Sequence, residues 1–158
     1  MITGGQLLPV PSSPAQKHWD FGVPLGEQAL IEVPFTETIL ISRHVKTDEL
    51  HNYLSQLAVS DFFDPTTPFP KAADVTGRSA QRFVIDVVIM RNGERRRAIA
   101  RGQDIYAISA PLACVAVERL LEGKFRHPGA SAPGFIFDAE DILASLGPAN
   151  STFKVIAA

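Results

Sequence analysis

The chain predicts an α+β fold, a mixed or largely antiparallel sheet with helices packed on one face. Three observations carry that expectation. First, residues 82–101 read as one long hairpin. Residues 83–90 form an apolar, β-branched run broken only by Asp86, which is the pattern of a strand with a buried face. Asn92-Gly93 follows, a pair in which both residues tolerate positive φ. The return run over 95–101 sets Arg96, Ala98 and Ala100 against Arg95, Arg97, Ile99 and Arg101, so it is the more solvated strand. Second, residues 110–122 read as a helix directly after the hairpin. Ser109 or Ala110 caps it, Pro111 sits where a missing donor costs nothing, and Gly123 suits the left-handed position past its end. Third, a shorter helix over 139–146 follows Asp138, with Glu140 and Asp141 in its first turn, where the helix dipole favours acids. A hairpin cannot bury its own apolar face. The face of Leu112, Val115, Ala116 and Leu120, with Cys114 and Leu121 beside it, is the expected cover.

Length and composition bound the rest. At 158 residues, 46% hydrophobic and 20% charged, the chain has the size and balance of one globular domain. A net charge of -2 gives no reason to expect nucleic acid. Arg95-Arg96-Arg97 is locally basic, but its side chains alternate faces on a strand, which reads as a solvated or subunit-facing edge. The single cysteine excludes an internal disulfide, and its apolar neighbours point to a buried structural thiol. No run of about 18 apolar residues and no basic-start signal peptide is present, so a soluble, cytoplasmic protein without a membrane partner is expected.

Taken in order, residues 1–17 are expected to form an extended arm or linker remnant, rich in Pro, Ser and Gly, and 18–158 a single domain. Trp19 to Gly26 is aromatic and turn-rich. A short strand follows over 28–35, ended or placed on an edge by Pro34. Residues 38–42 fit another strand or one helical turn. Over 48–57, Leu50, Tyr53, Leu54 and Leu57 have helical spacing, which outweighs a weaker strand pattern. Residues 61–75 hold Pro65, Pro68 and Pro70, which predicts a surface loop whose Phe62, Phe63 and Phe69 dock elsewhere. Residues 135–137 read as a short buried strand or a staple. Gly147-Pro148 should stop the last helix, and 153–156 could add a final strand. No internal repeat is present.

Glycine-rich dinucleotide and phosphate cradles are absent, as is a nucleophile elbow. The histidines His18, His44, His51 and His127 lack zinc-ligand spacing. Arg43-His44 after an apolar run could bind a carboxylate and shuttle a proton, or could be a surface pair bonded to loop backbone. The segment 102–111 joins a strand to a helix whose free amides could receive an anion, with Asp104, Tyr106 and Ser109 around it. Equally, Ser109 caps and Tyr106 packs.

Several segments together resemble the C-terminal half of saccharopine dehydrogenase-like oxidoreductases. They are Val33-Pro34, Ser42-Arg43-His44, the run from Gly77-Arg78-Ser79 to Phe83, the run from Ala100 through Gly102-Gln103-Asp104-Ile105-Tyr106 to Ser109-Ala110-Pro111, and Ala132-Pro133-Gly134-Phe135-Ile136-Phe137-Asp138. The resemblance spans about Trp19 to Leu146. It implies an α+β domain, with a largely antiparallel sheet covered by helices on one face, that closes over substrate and carries a dimer contact. NAD(P) is implied for a full-length relative through a Rossmann domain, supplied upstream or by another chain. This chain itself is expected to bind no cofactor and no metal.

The resulting expectation is the substrate-binding and dimerisation domain of an NAD(P)-dependent oxidoreductase; the alternative is a stand-alone, non-catalytic dimeric binding module. The candidate substrate-binding residues are Arg43, His44, Arg78, Asp104, Tyr106 and Ser109, and no catalytic residue is assigned. A homodimer through the sheet is expected, because the apolar residues of the first hairpin strand occupy both faces and two helices cover one.

Overall fold

A computed structural model describes residues 1–149 and 154–157. The chain divides into two compact units, Met1–Pro68 and Phe69–Ala158. A single domain over 18–158 was expected. The division falls between Pro68 and Phe69, inside the 61–75 stretch where prolines deny the backbone donors a ladder needs.

The first unit contains β1 (Ile2–Thr3), β2 (Gln6–Leu7), β3 (Gln16–Asp20), β4 (Glu27–Glu32), α1 (Thr36–Ser42), β5 (Glu49–Leu50), β6 (Tyr53–Ser55) and α2 (Gln56–Phe63). They build two antiparallel sheets of three strands, ordered β2-β1-β5 and β3-β4-β6. The opening residues are therefore not a loose arm. Gly4 and Gly5 both take positive φ and close β1 onto β2, while Ile2, opposite Leu50 of β5, is buried. The α2 region corrects two further expectations. Glu49–Leu50 and Tyr53–Ser55 are strands, because Ile2 and Thr3 pair with the first and Glu32 and Ile31 of β4 with Tyr53 and Leu54. These long-range ladders override the helical spacing of Leu50, Tyr53, Leu54 and Leu57. The helix begins one step later, where Ser55 caps it by accepting the Ala58 N–H at 3.2 Å. Phe62 and Phe63 then lie on that helix, edge to face with centroids 5.2 Å apart. Both are exposed, as is Phe69, so none docks as expected.

The second unit contains β7 (Arg82–Arg91), β8 (Glu94–Gln103), α3 (Ser109–Leu121), α4 (Pro133–Ile136), α5 (Ala139–Ala149) and β9 (Lys154–Ala157). β7 and β8 form the expected hairpin, with Arg91 opposite Glu94 across a two-residue turn. Asn92 and Gly93 supply positive φ at both turn positions, the geometry that matches strand twist. β9 pairs antiparallel with β8, as the expected last strand; its proposed first residue, Phe153, lies outside the described residues. The register puts Phe83, Ile85, Val87 and Ile89 on one face with Gly102, Ala100, Ala98 and Arg96. Val84, Asp86, Val88 and Met90 share the other face with Arg101, Ile99, Arg97 and Arg95.

Helices α3 and α5 build the core on the Phe83 face. Val115, Phe137, Ile142 and Leu146 are buried together, with Phe83, Ala100, Ile108, Ala116 and Ile136 packed against them. The covering stripe is narrower than the sequence predicts: Leu112, Leu120 and Leu121 are exposed, and so is Cys114, which is not a buried thiol. The helix turns Val115 and Ala116 inward and puts Arg119 in the next inward position, where it bonds Asp141 and Ser145 of α5 (the latter at 2.7 Å). Residues 135–137 are not a strand; Phe137, just before the Asp138 cap, lies in the buried cluster with Ile142 of α5, which is the expected staple. Pro133–Ile136 is one helical turn that delivers Phe137 to the core. Asp138 caps α5 as expected, accepting the N–H groups of Glu140 and Asp141 at 3.0 and 3.1 Å. The helix continues through Gly147-Pro148 to Ala149, since a proline in a final turn removes one bond of the ladder and no later turn depends on it.

Candidate functional site

In the second unit the segment 102–111 forms a tightly built junction. A Cβ on Gly102 would lie 2.6 Å from Cζ of Phe83, so only glycine lets that ring cross the strand and reach the core. Asp104 follows at φ 56, with its backbone N–H donating to the Gln81 carbonyl at 2.8 Å. Its carboxylate accepts the N–H of Ser79 at 2.8 Å and those of Tyr106 and Ala107 at 3.2 Å. These bonds, the Ser79 amide first, hold the Asp104 carboxyl below the usual aspartate range. Gln103 adds a bond from its amide nitrogen to the Ser79 carbonyl at 2.9 Å. The 74–79 turn, with the Arg78 carbonyl accepting the Ala73 N–H at 2.7 Å, is thereby fastened to the head of α3.

This arrangement decides what the candidate residues do. Ser109 is the first residue of α3 and does not cap it; Ile108 is the N-cap and makes no side-chain cap bond. The Asp104 carboxylate instead closes the turn that leads into the helix, through the Tyr106 and Ala107 amides, and ties that turn to Ser79. Tyr106 is 75% exposed and presents its ring beside that junction. Arg78 is half-buried at the end of the docked turn.

Arg43 and His44 belong to the first unit. Arg43 is the exposed C-cap of α1, and the His44 ring nitrogen Nδ1 lies 2.8 Å from the Leu40 carbonyl, where as an N–H it closes the helix end.

Sequence reasoning missed the most concentrated group of titratable side chains in that unit. Glu32 is 3% exposed at the end of β4. Its Oε1 lies 2.6 Å from Nδ1 of His51, and Nε2 of the same ring lies 3.0 Å from Oε2 of Glu49. Glu49 Oε1 accepts the Gly4 N–H at 3.1 Å. The two carboxylates, Glu32 foremost, raise the His51 pKa against the opposing effect of burial. Gly4 chiefly, with His51, lowers that of Glu49. Lys17 on β3 and Tyr53 on β6 lie beside them, the ammonium 3.7 Å from the centre of the Tyr53 ring. Burial lowers the Lys17 pKa, opposed by Glu32, and burial followed by Glu32 raises that of Tyr53. The one sequence signal for this cluster was a glutamate closing an apolar strand at Glu32, an inward position that a solvated acid would not occupy.

Among the described residues no group of three or more His, Cys, Asp and Glu could hold a metal ion, and no helix is long and apolar enough to cross a membrane. Every strand pairing described is antiparallel. A scan against protein-family models and searches of curated proteins and of solved structures found no match to this chain.

Proposed function

We propose that this chain is the substrate-binding and dimerisation part of a saccharopine dehydrogenase-like NAD(P)-dependent oxidoreductase, with the nicotinamide held by a Rossmann domain upstream or on another chain. The junction at 102–111 supports this reading. Its Gly-x-Asp-x-Tyr spacing places a glycine under an aromatic ring, an aspartate that fixes the turn, and an outward tyrosine at a helix head. In this reading the junction is a rigid platform, and Tyr106, Arg78 and Ser109 are its substrate-facing groups. The dimer contact in this reading is the apolar strip Ile85, Val87 and Ile89, which is 46%, 48% and 60% exposed beyond the reach of α3 and α5.

A second reading, a stand-alone non-catalytic dimeric binding module, is favoured by the Asp104 carboxylate being taken up by the Ser79, Tyr106 and Ala107 amides. The coding sequence before Met1 separates the two. An in-frame strand–G-x-G-x-x-G–helix segment, with NADPH oxidation at 340 nm by the joined protein, supports the oxidoreductase; an in-frame stop directly upstream supports the binding module. Tight NADPH binding by this chain alone, measured calorimetrically, would contradict both.

A further inference from the structure

We propose that the Glu32–His51–Glu49 bridge is a proton-operated clasp, which holds the β2-β1-β5 sheet to the β3-β4-β6 sheet and lets it go when the bridge loses one proton. The geometry is specific. Glu32 belongs to β4 in one sheet, Glu49 to β5 in the other, and the His51 ring lies between them with one nitrogen on each carboxylate. Glu49 continues the connection, since its second oxygen takes the Gly4 N–H in the turn that follows β1.

The chemistry of the three groups sets the proton count. Ionised carboxylates only accept, and a neutral imidazole has one N–H to give. Two hydrogens are therefore needed to close both contacts. One lies in the 2.6 Å Glu32–His51 contact and the other in the 3.0 Å His51–Glu49 contact. When one proton leaves, the remaining N–H stays with Glu32, because a carboxylate 3% exposed cannot exchange that bond for water. A bare Nε2 lone pair then faces Glu49 Oε2 at 3.0 Å. Glu49, more than half exposed, turns to solvent and gives up its hold on the ring.

The surroundings favour the same order of events. The charged and titratable groups facing His51 are Glu32 from β4, Glu49 from β5, Tyr53 from β6 with ring centroids 6.4 Å apart, and Lys17 from β3 over the Tyr53 ring. Lys17 lies close enough to Glu32 to interact with it electrostatically. The two carboxylates raise the His51 pKa above its ordinary 6.5. The clasp is accordingly closed below the unfolded-state value and opens as pH rises through the higher folded value.

Hydrogen exchange of the full chain tests this. After correction for intrinsic exchange, protection of the Gly4 and Gly5 amides should fall about tenfold between roughly pH 5.5 and 8.5, while that of β7 and β8 holds. His51→Gln, which cannot gain the charge, should show weak, pH-independent protection at those glycines. Glu49→Gln should keep protection at high pH, because its amide can donate to a neutral Nε2. Flat protection in the unmodified chain overturns the clasp. So does a fall in Glu49→Gln equal to that of the unmodified chain, an outcome that remains readable even if His51→Gln fails to fold.

Discussion

Replacing Gly102 by alanine tests whether the strand–helix junction is fixed by steric fit. The added Cβ would lie 2.6 Å from Cζ and 2.7 Å from Cε1 of Phe83. Carbon atoms in contact prefer about 3.5–4.0 Å, so the ring must retreat by roughly 1 Å. It has little room, because Phe83 packs against the cluster of Val115, Phe137, Ile142 and Leu146. Overpacking of this kind costs about 1–3 kcal/mol. Alanine recovers roughly 0.5–1 kcal/mol of strand preference over glycine, so from the middle of that range a net loss of about 1 kcal/mol remains. Urea unfolding followed by far-ultraviolet circular dichroism would read this as a lower midpoint at unchanged slope. Phe83→Leu removes the clashing ring edge, so the double variant should be more stable than the sum of the single changes by about 1 kcal/mol or more. A neutral or stabilising Gly102→Ala, or additivity within about 0.5 kcal/mol, would refute the steric account.

Three further outcomes are expected. Arg97 bonds both oxygens of Asp86 through Nε at 3.0 Å, with the Asp86 side chain 3% exposed. Arg97→Met should therefore cost about 3–5 kcal/mol in urea unfolding, whereas Asp86→Val with Arg97→Met together should be near neutral. Asp104→Ala leaves the amides of Ser79, Tyr106 and Ala107 without their acceptor. Its folded-state pKa is depressed, so the stability it confers is present above the unfolded value and lost as pH falls through the folded one. The acid limb of a plot of Tm against pH should become shallower in the variant, and an unchanged limb would remove Asp104 from that role. Finally, Val87→Asp, in the middle of the exposed strip, should dissociate the proposed dimer. Sedimentation equilibrium at micromolar protein should give a dimer that the substitution halves in mass, and a concentration-independent species near 17.1 kDa in the unmodified chain ends the dimer proposal.

By itself the sequence determined those parts of the protein whose signals are local. The β7–β8 hairpin was legible because Asn92-Gly93 supplies its own turn and the flanking residues carry a period of two. The start and end of α3 were legible through Pro111 and Gly123, and the cap of α5 through Asp138, since each acts within one turn of its own position. Tertiary structure decided whatever depends on a distant partner. Tyr53 and Leu54 became strand because β4, about twenty residues earlier, pairs with them. Ser109 became the first residue of α3 and not its cap, and Asp104 joined the turn before the helix to Ser79, a residue 25 positions earlier. Glu32 lies in the strand expected over 28–35 and Glu49 and His51 in the stretch 48–57, and no periodicity joins them. Only the meeting of β4 with β5 places one imidazole between two carboxylates, and hydrogen-bond geometry between elements distant in the chain leaves no local imprint on residue choice.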